Sequence, residues 1–206
     1  MKEYQKKTIE TYNTHAKAYE KSRAPFINTD RLEAFVARLS GTRVLDVGCG
    51  PGRDCRYFVD HGLTVTGLDL SVGLLALARN AVPEASFVEG DMLRMPFADA
   101  SFDGVWASAA LVHLHRDDIG TAIQEIYRVL VPGGIFYCSV KEGVGDHEES
   151  DVRLNGGVRL FSFVSEQEMN RYMTDAGFIV DSSVVVMHDN MLRPIDWVQL
   201  FVRKPL

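Results

Sequence analysis

The stretch VLDVGCGPGRD, residues 44 to 54, constrains the fold of this chain more than any other. Its apolar Val44, Leu45 and Val47 read as a buried strand, and glycines at 48, 50 and 52 stop that strand at every second position. Glycine gives up much conformational freedom on folding, so the cluster implies a backbone that turns sharply or meets something closely. Loops of this kind, set between a strand and a helix, most often hold a nucleotide-like ligand.

The rest of the chain repeats the strand–helix alternation. Leu32, Phe35, Val36 and Leu39 recur at helical spacing before Gly41, and a helix is predicted from about Arg53 to His61, ended by Gly62. TVTGLDL is the next strand, and Ser71 can cap the helix VGLLALARNA. ASFVEGD and FDGVWASAAL supply two more strands. Asp117 or Asp118 is placed to cap a helix with the apolar stripe Ile119, Ala122, Ile123, Ile126 and Leu130. Pro132-Gly133-Gly134 should stop it and start the strand IFYCSV. Ser165 and Glu168 have capping-box spacing for a helix reaching Ala176. FIVDSSVVVM and WVQLFVRK close the chain with too short a connection for a crossover helix, so this pair should be antiparallel. Alternation of this kind predicts a mostly parallel sheet with helices on both faces. One α/β domain over residues 1–206 is expected, led by a helical arm of about 25 residues.

Composition narrows the partners. With 22 Lys and Arg against 28 Asp and Glu, the net charge of −6 and the lack of a basic run argue against nucleic acid, whose backbone demands clustered positive charge. No apolar run approaches the roughly 20 residues needed to span a bilayer, and the charged N-terminus has no signal-peptide core. A cytoplasmic protein without membrane contact is expected, as a monomer or homodimer. Cys49, Cys55 and Cys138 have no zinc or disulfide spacing and read as free thiols in a reducing compartment. No metal-binding constellation appears.

The acids near the strand ends suggest the ligand. Nicotinamide sites want G-x-G-x-x-G, whereas here the third glycine comes one residue early and Asp46 lies inside the strand before the loop. A pyrophosphate would not welcome that carboxylate; a cationic amine or sulfonium would. Asp69 ends the second strand, 21 residues after Gly48, where a carboxylate can accept from ribose hydroxyls. Asp91, in EGDM, can accept from an exocyclic adenine amine, with the Met92 N–H donating to a ring nitrogen. Asp46 should act through water or loop N–H groups.

With VLDVGCGPG, LDLS, EGDMLRMPFADASFDGVWASAALVHL and RVLVPGGIFYCSV in this order, the chain resembles the class I S-adenosylmethionine-dependent methyltransferases, specifically the small type 11 group. The resemblance implies a Rossmann-like three-layer α/β sandwich whose seven-stranded sheet has one strand reversed by the last hairpin. It implies S-adenosyl-L-methionine as cofactor, S-adenosyl-L-homocysteine as product, and a small-molecule acceptor. Gly48, Gly50 and Gly52 would curl around the amino acid end of the cofactor, with Asp69 on the ribose and Asp91 on the adenine. Cys49, Leu70, Leu93 and Ser108 fall in the same motifs and join the expected cofactor set. Tyr12, Tyr19 and Arg23 match the arm folded over the cofactor, where Arg23 can pair with its carboxylate.

His113, in ALVHLH, falls where the family faces the methyl group; it is a candidate general base or a residue packing on the cofactor. Residues 141 to 163 fall where family members build substrate lids. Displacement at a sulfonium can rest on proximity and alignment in a dry site, so no strong dyad is required. Two rival readings stay open: a cofactor-binding partner protein that has lost transfer, and a nicotinamide-dependent oxidoreductase.

Overall fold

β1 (Arg43–Val47) forms where the sequence places its apolar run, and every residue after Arg43 is buried. The computed structural model describes residues 1–23, 28–187 and 195–206. Side chains alternate across a strand, so Leu45 and Val47 enter one apolar layer while Val44 enters the other. A strand buried on both faces needs helices on both sides. The chain supplies them with α1 (Glu3–Thr14), α2 (Ala16–Arg23), α3 (Thr29–Val36), α4 (Arg53–Asp60), α5 (Val72–Ala81), α6 (Arg116–Val129) and α7 (Glu166–Asp175). Between them run β2 (Thr64–Asp69), β3 (Ser86–Glu89), β4 (Phe102–Ser108), β5 (Leu130–Lys141), β6 (Gly145–Asp151), β7 (Gly157–Phe163), β8 (Ile179–Val186) and β9 (Trp197–Arg203).

Among the described residues these strands form one nine-stranded sheet. Seven run in the order β3-β2-β1-β4-β5-β9-β8. β1 to β5 pair in parallel, and β9 runs antiparallel to both β5 and β8. This is the Rossmann-like frame with one reversed strand. Ser71 caps α5 by accepting from the Leu74 N–H at 3.2 Å, and Ser165 caps α7 by accepting from Glu168 at 3.3 Å.

The remaining two strands add a feature beyond the seven. β6 and β7 make an antiparallel hairpin in residues 145–163, and β7 meets β5 at a single register point, Lys141 opposite Phe163. β4 has already ended by then, at Ser108 opposite Ser139. The hairpin therefore continues the sheet past the carboxyl ends of its strands and overhangs the region where open α/β sheets bind ligands.

Three local expectations change. α6 starts at Arg116 with His115 in the capping position, and Asp118 instead takes Lys2, just before α1, and Tyr4 of α1. Leu130 leaves the helix to open β5, still buried. Pro132-Gly133-Gly134 lies inside β5 rather than before it, because the register jumps from Phe102–Leu130 to Gly104–Ile135. A bulge absorbs the proline, which cannot donate to a ladder, and the glycines.

Candidate functional site

The floor of the site begins at the end of β1. The Gly48 and Cys49 N–H groups both donate to the Leu68 carbonyl of β2, at 2.7 and 3.2 Å, which turns the loop across the sheet edge. Gly50 takes φ +54, a left-handed conformation that glycine adopts at no steric cost. A Cβ there would point toward open space, its nearest neighbour being the Tyr19 ring at 3.9 Å. Asp69 spans loop and helix: Oδ2 accepts from the Gly50 N–H at 2.9 Å and Oδ1 from the Ser71 N–H at 2.8 Å. Burial pushes its pKa up while these N–H groups pull it down, with a net rise. A carboxylate has about four acceptor positions, so ligand hydroxyls still find lone pairs.

At the end of β4, Ala109 is a non-glycine residue at φ +55. Its N–H donates to Ser139, both carbonyl and hydroxyl, at 3.1 and 3.0 Å. Such a conformation costs on the order of 1–3 kcal/mol and persists where surroundings enforce it, as at ligand sites.

The roof comes from α1, α2 and the hairpin. Thr8 Oγ1 accepts from the Leu160 N–H at 2.9 Å, and Thr11 Oγ1 donates to the Val158 carbonyl at 2.7 Å. Asn13 Oδ1 takes the Gly73 N–H at 3.0 Å and the Ser71 hydroxyl at 2.7 Å, tying α1 to the start of α5. Between floor and roof lies a cavity that is partly open to solvent.

A family profile described as a methyltransferase domain matches residues 45–138, the glycine loop through β5. The chain carries a class I S-adenosylmethionine-dependent methyltransferase domain. A malonyl-[acyl-carrier protein] O-methyltransferase of Enterobacter lignolyticus is 44% identical over 106 residues, 50% of this chain and 41% of that protein. An uncharacterized methyltransferase of Synechocystis is 41% identical over 145 residues, 69% of this chain and 66% of that one. Among solved structures, a 1,6-didemethyltoxoflavin-N1-methyltransferase of Burkholderia thailandensis, with S-adenosylhomocysteine bound, is 28% identical. It gives a TM-score of 0.68, covering 86% of this chain and 76% of that one. The chain spans about half the length of the first curated relatives it matches, from 41% to 54%.

In this methyltransferase domain Tyr19, Gly48, Gly50, Asp69, Leu70, Met92, Ser108 and His113 line a common cavity. The loop, carboxylate and open cradle suit the cofactor of the family: a Cβ on Gly50 would intrude on the space a ligand would fill. Other expected residues stand behind the wall. Asp46, buried under the loop, accepts from the Cys55 thiol at 3.2 Å; burial and the nearby Asp54 push its pKa up to about 8. It braces α4 against β1. The buried Cys49 thiol lies against β2, 2.7 Å from where a Gly67 Cβ would stand. Gly52 packs on α5, since its Cβ would meet Ala78 at 3.2 Å.

Asp91 Oδ1 accepts from the Leu93 N–H at 3.0 Å and from Gln5 Nε2 at 3.2 Å, so the arm covers it. Arg23 ends α2, and its side chain lies outside the described part of the structure. Cys49, Cys55 and Cys138 are free and buried. Among the described residues no His, Cys, Asp and Glu group could hold a metal, and no helix is long and apolar enough to cross a membrane.

His113 is held at both ring nitrogens. Nδ1 lies 2.7 Å from the Leu160 carbonyl and Nε2 lies 2.8 Å from the Tyr12 hydroxyl. Burial and Arg159 push its pKa down to about 3. With the arm closed, Nε2 is engaged by Tyr12, so this geometry favours packing over the role of a base titrating at pH 6 to 7. Sequence reasoning missed Gln5, Thr8, Ile9 and Leu74 in the lining. The 5, 8, 12 spacing was a helical stripe, but a polar one.

Proposed function

We propose that the chain binds S-adenosyl-L-methionine in this cavity and transfers its methyl group to a small-molecule acceptor. The observation that carries the reading is the cradle itself: a left-handed glycine loop and the Asp69 carboxylate, tied to each other, facing one roofed cavity. When bound, the cofactor supplies an electrophilic methyl group on a sulfonium. The loop at Gly48 and Gly50 would hold its amino acid end, Asp69 its ribose hydroxyls, and Asp91 with Met92 its base.

The chain's own contribution is alignment and exclusion of water. α1 and α2 line the cavity from above through Gln5, Thr8, Tyr12 and Tyr19, and the hairpin holds α1 in place. No residue need act as base while Tyr12 engages His113. The relatives' names differ in the atom methylated, O in one and N1 in another. Acceptor choice in this chain accordingly belongs to the roof, in residues 141–163 and α1, which lie outside the matched residues 45–138.

Calorimetry with S-adenosylhomocysteine and NAD separates this reading from a nicotinamide enzyme: the first should bind and the second should not. Labelled cofactor incubated with fractionated metabolites should then put label into a small-molecule fraction. Tight cofactor binding without turnover on any fraction would instead make the chain a binding partner.

A further inference from the structure

A hydrogen-bonded chain crosses the roof from β6 to the cavity wall. Asp151 Oδ2 accepts from Arg159 Nη2 at 2.6 Å, and Arg159 Nη1 donates to Tyr12 Oη at 2.9 Å. Tyr12 Oη then meets His113 Nε2, and His113 Nδ1 meets the Leu160 carbonyl. Chemistry fixes every direction along it. A guanidinium can only donate and a carbonyl can only accept, so Nδ1 carries a hydrogen. The single hydroxyl hydrogen of Tyr12 goes to Nε2. Both histidine nitrogens are satisfied with the ring neutral and in one tautomer.

A second proton on His113 has no place in this arrangement. It would put an Nε2–H against an oxygen already receiving Arg159, and the Tyr12 hydrogen would lose its acceptor. It would also put a cation beside others. Arg159 faces the ring from β7, with Asp151 of β6 behind it, and Lys141 approaches from β5, paired with Glu149. The Phe161 ring lies 4.8 Å away, and Tyr19 of α2 meets Tyr12 edge-on at 4.8 Å. The ring nitrogens bond to Tyr12 and Leu160 and to no carboxylate among the described residues.

One member of the chain sits on a separable element. Tyr12 belongs to α1, which also meets the hairpin and α5 through the polar contacts of Thr8, Thr11 and Asn13, the exposed Lys7–Glu148 pair and the small apolar packing of Tyr12 on Leu74. Were α1 to lift, water would reach His113 and an ordinary histidine pKa near 6.5 would return. The closed form then binds fewer protons than the open one, and acid favours opening.

We propose that Arg159 is a positioning residue that, acting through Tyr12, lets α1 close over the cavity only while His113 is neutral. The use of this device rests on the cavity being the cofactor site, but the proton coupling itself needs no ligand.

Amide hydrogen exchange on the whole chain, without ligand, tests it between pH 7.5 and 5.5. Protection factors of α1 amides should fall about tenfold per pH unit below roughly pH 6.5, as one linked proton requires. Tyr12→Phe removes the hydroxyl; its α1 should be less protected at pH 7.5 and fall less steeply with pH, since burial still disfavours the charged ring. Arg159→Lys, which keeps a donor, should keep the slope, and Arg159→Met should lose part of it. His115 also meets α1, edge-on to Tyr4 at 4.1 Å and paired with Asp146, so His115→Gln must retain the slope. Flat protection in the parent, an unchanged slope in Tyr12→Phe, or loss of the slope in His115→Gln would each overturn the proposal. Repeating the series with S-adenosylhomocysteine separates the two readings. Failure to bind at any pH sinks the cofactor assignment and leaves the exchange result standing.

Discussion

At the floor of the cavity the chain fixes its ligand-facing groups through the main chain, with Gly48 and Cys49 both donating to Leu68. At the roof it fastens α1 through side chains, with Thr8, Thr11 and Asn13 reaching β7 and α5. The floor is continuous with the buried sheet, since Val47 pairs with Leu68 one residue before the loop. It opens only if the sheet opens. The roof rests on exchangeable polar contacts and a small apolar cluster of Tyr12, Ala16 and Leu74, so it belongs to the low-stability end from which lids are drawn. A rigid half recognises and a detachable half admits and releases.

The sharpest way to break this contrast is Gly50→Val. Its backbone is at φ +54, strained for a branched residue, and the new side chain points into the cavity. Strain and lost space together should weaken S-adenosylhomocysteine binding by more than about 100-fold, with β1–β2 pairing intact and far-UV circular dichroism unchanged. Normal affinity by calorimetry would make the floor a structural turn and remove the cofactor assignment.

Asp69→Ala should have the next largest effect. Lost hydrogen bonds to a charged acceptor are worth roughly 1.5–3 kcal/mol. Part of that loss is indirect, because Asp69 also holds the Gly50 and Ser71 N–H groups. Affinity should fall while exchange protection of α1 stays near the parent's. A variant whose α1 loosened as much as its binding weakened would show that floor and roof are one unit.

The same contrast decides what was legible beforehand. Floor residues announce themselves because backbone demands leave specific residue types: Gly48 and Gly50 for left-handed turns, Asp69 at a strand end. Ser71 and Ser165 were readable as caps for the same reason. The roof hides because its interface is polar. Gln5, Thr8 and Thr11 are buried, yet in a window rich in Lys and Glu they look like solvated helix. The hairpin was harder again, since acids at four of its seven positions crowd β6 and mask its alternation. A signal was present in Asn155-Gly156, both left-handed in the structure, which end the five-residue loop between β6 and β7. Arg159, in β7, carries no local pattern; its meaning comes from Tyr12, 147 positions earlier in the chain.

The smallest expected effect tests what kind of polar contact holds the roof. Lys7 of α1 and Glu148 of β6 form an ion pair at 2.6 Å, with side chains 54% and 56% exposed. Exposed pairs typically contribute about 0.2–1 kcal/mol, and many contribute nothing measurable. The buried contacts of Thr8 and Thr11 are neutral, so salt does not screen them. Lys7→Ala should therefore change α1 protection factors by about twofold at most, corresponding to about 0.4 kcal/mol. Raising salt to 1 M, where the screening length is about 3 Å, should do as little in the parent. If salt instead released α1 by tenfold or more, surface charge would be holding the roof. The contrast with the floor would then be one of electrostatic steering rather than of buried hydrogen bonds.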